Sequence, residues 1–412
     1  MPAATPAAKS AATSALFERV RVLDLTNVLS GPFCCYQLAQ LGAEVIKIEV
    51  PGTGDLARQL GADAALNRAG MGASFLAQNA GKRSMTLDFK SAKGREVFLR
   101  LVATADVVVE NFRPGVMERL GLGQAVLSTV KPDLIYCAIS GFGQDGPLKF
   151  NPAYDQIIQG LAGVMSVTGD AQTAPLRVGY PVADTMGGIT AAFAIAAALF
   201  RRERDGEGET IDVSMFESTL IAMGWQVSNW LIAGVTPQPM GNENMTASPS
   251  GAFRTGDGLL NIAANKQEQF ETLARLIGRD DLVTHEKFAA REDRKANRSA
   301  LNAELEAALA TKPAKAWAAL LNAHGVPAGE VLSVPAALDH PQVAARGLLT
   351  TFDAVDGVDR PVRVARAGFR LASGDPGPAT PPPVLGTDTA DILAELGYAA
   401  GEIEALRRDG VA

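Results

Sequence analysis

The chain has 412 residues, of which 47% are hydrophobic and 20% charged, and a formal net charge of −7. That is ordinary globular composition, too long for one small core, so at least two domains are expected. The acidic balance argues against a nucleic-acid partner, which recruits a basic surplus or stripe, but leaves room for a local basic pocket facing an anionic small molecule.

Residues 1–16 are rich in Ala, Pro and Ser and read as a disordered tail. They lack the apolar core of a secretory signal. "RVRVLDLT" (19–26) reads as a strand. "SGPFCCYQLAQLGA" (30–43) follows as a helix, with Pro32 in its first turn and Gly42 at its end, and "EVIKIEV" (44–50) is the next strand. The alternation continues with a strand at 84–89, a helix at 91–105, a strand at 106–112, a short helix at 113–123 and a strand at 133–143. It implies an α/β fold with a Rossmann-like, doubly wound parallel sheet, whose ligands bind beyond the carboxyl ends of the strands. An apolar run near 189–200 is short of the roughly 20 residues that span a bilayer, and 208–220 reads as a strand turning into a helix. The large domain is placed at 17–224. A smaller α+β domain is placed at 225–330, opened by a hairpin around Gly256-Asp257-Gly258. A connector and C-terminal segment over 331–412 returns to the large domain and ends in one amphipathic helix from Thr389.

Several chemistries find no support. Cys34, Cys35 and Cys137 fit neither a disulfide framework nor a zinc spacing, and read as small buried hydrophobes of a reducing cytoplasm. His285, His324 and His340 lie far apart, so no metal site is expected, and no G-x-S-x-G occurs. The string G-T-G-D-L-A (52–57) invites a dinucleotide reading. Pro51 separates it from the strand and Asp55 would face a pyrophosphate, so a tight loop is expected. "NAGKRS" (79–84) is no P-loop, since the earlier glycine is missing and Arg83 stands where Ser or Thr is needed. Lys82, Arg83, Lys90, Arg113 and Arg119 flank strand ends, where cations serve either a phosphorylated ligand or a solvated face. Asp184, in "VADTMGGIT" just before the apolar run, is open to two readings, helix cap or reactive carboxylate.

Six ordered segments resemble one family: "VLDLTNVLSGPFCCYQLAQLGAEVIKIEVPGTGDLAR", "NAGKRSMTLDFKSAKG", "DVVVENFRPGVMERLGLG", "LIYCAISGFGQDGP", "PAYDQIIQGLAGVMSVTGD" and "VADTMGGITAAFAIAAALFRRERDGEGETIDVSMFES". The chain resembles the class III CoA-transferases, a group that includes formyl-CoA transferase, carnitine CoA-transferase and α-methylacyl-CoA racemase. The resemblance implies an interlocked homodimer in the cytoplasm, coenzyme A as co-substrate with no permanently bound cofactor, and acyl-CoA and carboxylate substrates, with neither membrane nor nucleic acid as partner. It assigns Asp184 as nucleophile, forming a mixed anhydride and then an aspartyl-CoA thioester, with the amides of the nearby glycines stabilising the oxyanions. It places CoA and substrate on Leu29, Ser30, Val50, Leu87, Asp88, Phe89, Lys90, Asn111, Phe112, Arg113, Arg119, Pro152, Ala153, Tyr154 and Asp155. The chain departs from the formyl branch at Leu29, where that branch has glutamine, and in "GNENMTASPSGAF", which lacks its glycine run. It departs from the racemase branch at Tyr154, where that branch has a histidine base. CoA transfer to a carboxylic acid, a dicarboxylate by the resembling branch, is therefore the expectation. A racemase-like activity and non-catalytic CoA binding are the alternatives.

Overall fold

The structure, a computed structural model, describes residues 16–412; the expected tail up to Ala15 lies outside the described residues. Six short runs rich in Val, Ile and Leu become strands β1 (Arg21–Asp24), β2 (Glu44–Glu49), β3 (Lys82–Thr86), β4 (Val107–Glu110), β5 (Ile135–Ser140) and β6 (Glu209–Ser214). All pair in parallel, in the order β3-β2-β1-β4-β5-β6. A parallel sheet covered on both faces has no need of polar alternation, and Val107, Val108 and Val109 are all fully buried. Leu23, Ile46 and Val108 enter one core with Phe98 and Leu101 of the helix Ala92–Val102. Val22, Val45, Val107 and Val109 enter the opposite one. The chain runs outward from β1 through β2 to β3, then crosses to β4 on the other side of β1. The strand order therefore reverses between β1 and β4, and a crevice opens there above the strand ends.

Four helices frame that crevice or pack beneath it: α1 (Ser30–Gln40), α2 (Asp155–Leu161), α3 (Val182–Asp205) and α4 (Met215–Ala222). The apolar run at 189–200 is only the middle of α3, which has 24 residues with Asp184 near its start and Arg201, Arg202 and Arg204 at its end. Among the described residues α3 is the one helix long and apolar enough to cross a membrane. One face of α3, including Ala183, Gly187, Ala191, Ile195 and Leu199, is buried in the second core. The glycine pair makes this packing possible: a Cβ on Gly188 would sit 2.5 Å from the Ser30 carbonyl oxygen, and one on Gly187 would sit 2.9 Å from the Met215 side chain.

The chain divides into two compact units. One comprises the chain up to Val164, with Arg177–Gly234 and Ala344–Ala412; the other comprises Met165–Leu176 and Val235–Val343. The strand turning into a helix expected at 208–220 is β6 followed by α4, and α5 (Trp225–Ala233) follows them in the first unit. The expected connector from 331 carries structure of its own, with helices Val334–Leu338 and Pro341–Ala345 and an antiparallel hairpin of Leu349–Phe352 with Val362–Ala365. The second unit holds an antiparallel sheet of β7 (Ser250–Arg254), β8 (Leu259–Ala263) and β9 (Ala328–Glu330), with the expected hairpin turn between β7 and β8. Phe253, Ile262, Phe270 and Trp317 fill its core. The single C-terminal helix expected from Thr389 is two, Thr389–Glu395 and Ala400–Arg408, because Gly397 takes φ 87° and reverses the chain.

Candidate active site

A cavity of about 250 Å³ lies over the carboxyl ends of β1, β4 and β5, within the first unit. Residues 27–30, 111–114, 139–141 and 151–154 line it, with Lys149, Asp184 and Met215. The switch point is stitched by one side chain: Asn111 Oδ1 accepts from the Asn27 amide at 2.8 Å, and Asn111 Nδ2 donates to the Asn27 carbonyl at 2.9 Å.

Asp184 is the third residue of α3 and does not cap it. The N-cap is Pro181, which has no side-chain acceptor to offer. Asp155 takes that role from α2: its Oδ1 accepts from the Ala183 amide at 2.8 Å and the Asp184 amide at 3.4 Å. Gln159, one turn along α2, donates to Asp155 Oδ2 at 2.7 Å and accepts from the Val178 amide at 2.8 Å. The start of α3 is thus fixed by a buried carboxylate that is fully used, while the Asp184 carboxylate faces the cavity with no hydrogen-bond donor among the described residues. Burial, and then the nearby charge of Asp155, raise the Asp184 carboxyl from 3.8 to about 7. Below the cavity, burial pushes Glu110 up to about 7 as well. It accepts from the Phe112 amide at 2.7 Å and the Tyr136 hydroxyl at 3.1 Å.

Nine of the residues singled out from the sequence line this cavity: Leu29, Ser30, Asn111, Phe112, Arg113, Pro152, Ala153, Tyr154 and Asp184. Asp155 stands behind Asp184 rather than in the wall. The others are not brought to it. Val50 is exposed at the end of β2, Leu87 is buried in the core, and Phe89 packs on Phe98 with ring centroids 4.9 Å apart. Asp88 accepts from the Lys90 amide at 2.9 Å, and Lys90 and Arg119 are exposed. Lys82 and Arg83 are not free for an anion. Lys82 is buried on Asp24 (2.8 Å), the Pro32 carbonyl and Asn79, and Arg83 is paired with Glu44 and Glu395. Gly187 and Gly188 lie inside α3, where the helical ladder takes their amides, so they offer no oxyanion donors. The G-T-G-D string is a tight loop with Gly52 and Gly54 at φ 77° and 64°. Sequence reasoning passed over Lys149 and Asn151. They sit in an aperiodic loop, and their one signal was a position between the β5 end and the Pro152-Ala153-Tyr154 segment.

The fold and site together define a doubly wound α/β protein whose ligand crevice carries an unpartnered carboxylate at a helix start. The chain belongs to the family described as CoA-transferase family III, whose profile matches residues 17–389. It is 41% identical over 353 residues to an acetyl-CoA:oxalate CoA-transferase of Acetobacter aceti, covering 85% of this chain and 89% of that one. It is 36% identical over 390 residues to a succinate–glutarate CoA-transferase of Agrobacterium fabrum, covering 92% and 94%. The crystal structure of a CAIB/BAIF family protein from Brucella suis superposes with a TM-score of 0.81 at 36% identity, covering 92% of this chain and 99% of that one. The protein is accordingly an enzyme, a transferase with coenzyme A as co-substrate.

Proposed function

We propose that the protein moves CoA from an acyl-CoA thioester to a free dicarboxylic acid, with Asp184 as the covalent nucleophile. The observation that carries this reading is the Asp184 carboxylate itself: buried on one side, open to a cavity on the other, and unpartnered. Poor solvation leaves its oxygen less stabilised as an anion and so more reactive toward a carbonyl carbon. Asp184 Oδ attacks the thioester carbonyl and the C–S bond breaks, giving an acyl-aspartyl anhydride and CoA thiolate. The thiolate attacks the aspartyl carbonyl, releasing the first acid and leaving an aspartyl-CoA thioester. The acceptor carboxylate attacks that thioester and expels the thiolate, which then takes the new acyl group and frees Asp184. One thioester is broken and one is made, so no nucleotide is consumed.

A dicarboxylate acceptor fits the cavity's two cations, Arg113 and Lys149, neither of which is ion-paired among the described residues. It also fits the activity named for the Agrobacterium relative. No histidine lines the cavity, and Tyr154 stands in its wall, which favours transfer over α-proton exchange.

A homodimer belongs to the same reading. Phe193 (76% exposed) on α3, Ile221 on α4 and Trp225, Leu231 and Ile232 (86%) on α5 are large apolar side chains left open, which supports a partner surface that covers them. The three free, buried cysteines fit a reducing cytoplasm. The test is a panel of acyl-CoA donors against mono- and dicarboxylic acids, read by mass spectrometry, with hydroxylamine added during turnover. Transfer to diacids and a hydroxamate on residue 184 are expected. Turnover with an unmodified Asp184, or α-deuteration in heavy water with no acceptor present, overturns the proposal.

A further inference from the structure

The G-T-G-D string, which the fold shows to be a tight loop, ends in a buried carboxylate. Asp55 Oδ1 accepts from its own turn, the Ala57 amide, at 2.8 Å, and from the Val28 amide at 2.9 Å. Its Oδ2 lies 2.9 Å from Lys47 Nζ, off the line of a hydrogen bond but within ion-pair distance, and both side chains are fully buried. Lys47 Nζ also donates to the Thr26 carbonyl at 2.8 Å. Gly54 allows this geometry. It sits at φ 64°, and a Cβ there would lie 2.8 Å from the Arg58 side chain.

The partner of that carboxylate is unusual. Among the described residues Val28 is the one non-glycine with positive φ, at 68°. A β-branched residue in the left-handed region is strained by about 1–3 kcal/mol and stays there only when its surroundings over-determine it. The surroundings here do so. The Asn27 amide and carbonyl are held by Asn111, the Val28 amide by Asp55, and the Leu29 carbonyl accepts from Phe33 as α1 begins. The reversal at Val28 delivers Leu29 and Ser30 into the cavity wall that also holds Asp184. The start of α1 has no side-chain cap, and the Ser30 hydroxyl is buried there without a partner. Polar donors on that wall are therefore unspent.

We propose that Asp55 is a positioning residue for the reaction: its hydrogen bond holds Val28 in the left-handed conformation that aims the Leu29–Ser30 start of α1 at the thioester. This rests on the CoA-transfer reading above. Loss of Asp55 lets Val28 relax to negative φ, which turns the next two residues away. A displacement of about 1 Å at such a wall lowers turnover by about 100-fold.

The experiment compares five variants of the full-length enzyme by kcat, KM for the donor, thermal midpoint, and hydrogen exchange of the peptide spanning residues 26–33. Asp55→Ala is expected to lower kcat by about 100-fold, with a smaller change in KM, and to speed exchange in that peptide. Asp55→Asn keeps the Oδ1 acceptor and recovers most of kcat, although its midpoint drops because Lys47 loses the nearer of its two counter-charges. Adding Val28→Gly to Asp55→Ala restores at least a tenth of the wild-type kcat without restoring the midpoint, since glycine takes positive φ unforced. Val28→Pro cannot reach φ 68° and has no amide to donate, yet leaves the Asp55–Lys47 pair intact. It covers the case in which Asp55→Ala fails to fold, and with Val28→Gly alone as its folded control it is expected to lose kcat. Equal kcat losses in Asp55→Ala and Asp55→Asn without rescue by glycine, or a wild-type kcat in Val28→Pro, overturn the proposal. A wild type inert toward every donor overturns the CoA-transfer reading and this proposal with it, and is told apart because the failure then lies in the parent enzyme.

Discussion

Replacing Asp184 with Asn removes the charge and keeps the shape, and the structure sets both the sign and the size of the result. The carboxyl titrates at about 7 in the folded chain against 3.8 when unfolded. The folded state therefore holds a proton that the unfolded state has lost, and folding stability falls as pH rises through that window. At about 1.36 kcal/mol per pKa unit, the ionised Asp184 destabilises the native state by about 4 kcal/mol above pH 7, an upper figure because the group faces an open cavity. Asn carries no such penalty. The variant should thus be more stable than wild type at pH 8. Its advantage should shrink on acidification, by about 1.4 kcal/mol per pH unit below 7 at most, and level off above 7. Urea midpoints of both proteins, measured at half-unit steps from pH 5.5 to 8.5, give the curve directly. CoA transfer by the variant should be abolished at every pH. In the wild type, kcat/KM for the donor should rise toward a plateau above pH 7, as the carboxylate ionises. A stability difference independent of pH would refute the buried-carboxylate argument. Residual transfer at a rate near wild type would refute the nucleophile.

Asp155→Ala removes the acceptor of the Ala183 and Asp184 amides, so about 1–3 kcal/mol of stability should go, with a fall in kcat that Asp155→Asn largely avoids; urea midpoints and steady-state rates check both. Gly188→Ala forces a methyl to within 2.5 Å of the Ser30 carbonyl oxygen, so α1 and α3 must separate, and about 1–3 kcal/mol of stability should be lost along with activity, read by thermal melts and turnover. Lys82→Met takes from buried Asp24 its nearer lysine, leaving Lys47 at 4.0 Å, and should destabilise by about 3–5 kcal/mol, seen as a reduced yield of folded protein or a lowered urea midpoint. On the proposed homodimer reading, Ile232→Asp on α5 should shift the mass in solution from dimer toward the 43.0 kDa monomer in light scattering, and a wild type that already runs as a monomer refutes that reading.

The strands of the sheet were legible because burial on both faces leaves a signature of consecutive Val, Ile and Leu. The crevice followed from the alternation of strands and helices, since doubly wound sheets have only one kind of ligand edge. Nine wall residues were legible through motif resemblance, with Asp184 among them. What escaped had physical reasons. The helix α5 escaped because it buries none of its residues and leaves apolar ones uncovered, so it lacks the pattern of a core element. Gly397 inside an amphipathic pattern reads as a tolerated helix residue until its positive φ is known. Lys149 had no periodicity to mark it. Gly187 and Gly188 suggested oxyanion donors from their closeness to Asp184, whereas close packing of two helices explains them.

Lys82 shows why burial and charge are not enough to find a site. Asp24, Lys47, Asp55, Lys82, Glu49 and Arg58 are all buried. Each is matched: Lys47 by Asp55 and, at 4.0 Å, by Asp24; Lys82 by Asp24 at 2.8 Å; and Arg58 by Glu49 at 2.7 Å. Burial opposes the charge on Asp24, yet Lys47 and Lys82 outweigh it and hold the carboxyl below its usual range. The same contest at Lys47 is won by Asp24 and Asp55, which raise it. Asp24 and Lys47 are thereby held in their ionised forms, and every one of the six already has its ionic partner. Asp184 differs from them in one respect. Its only charged neighbour of consequence is another carboxylate, which itself is committed to the amides of α3, so nothing offsets the loss of water. Sequence can show that an ionisable residue will be buried, but whether its partner arrives is decided by tertiary structure. At the carboxyl edge of this sheet that single difference separates a carboxylate that holds the fold together from one left free to attack a carbonyl.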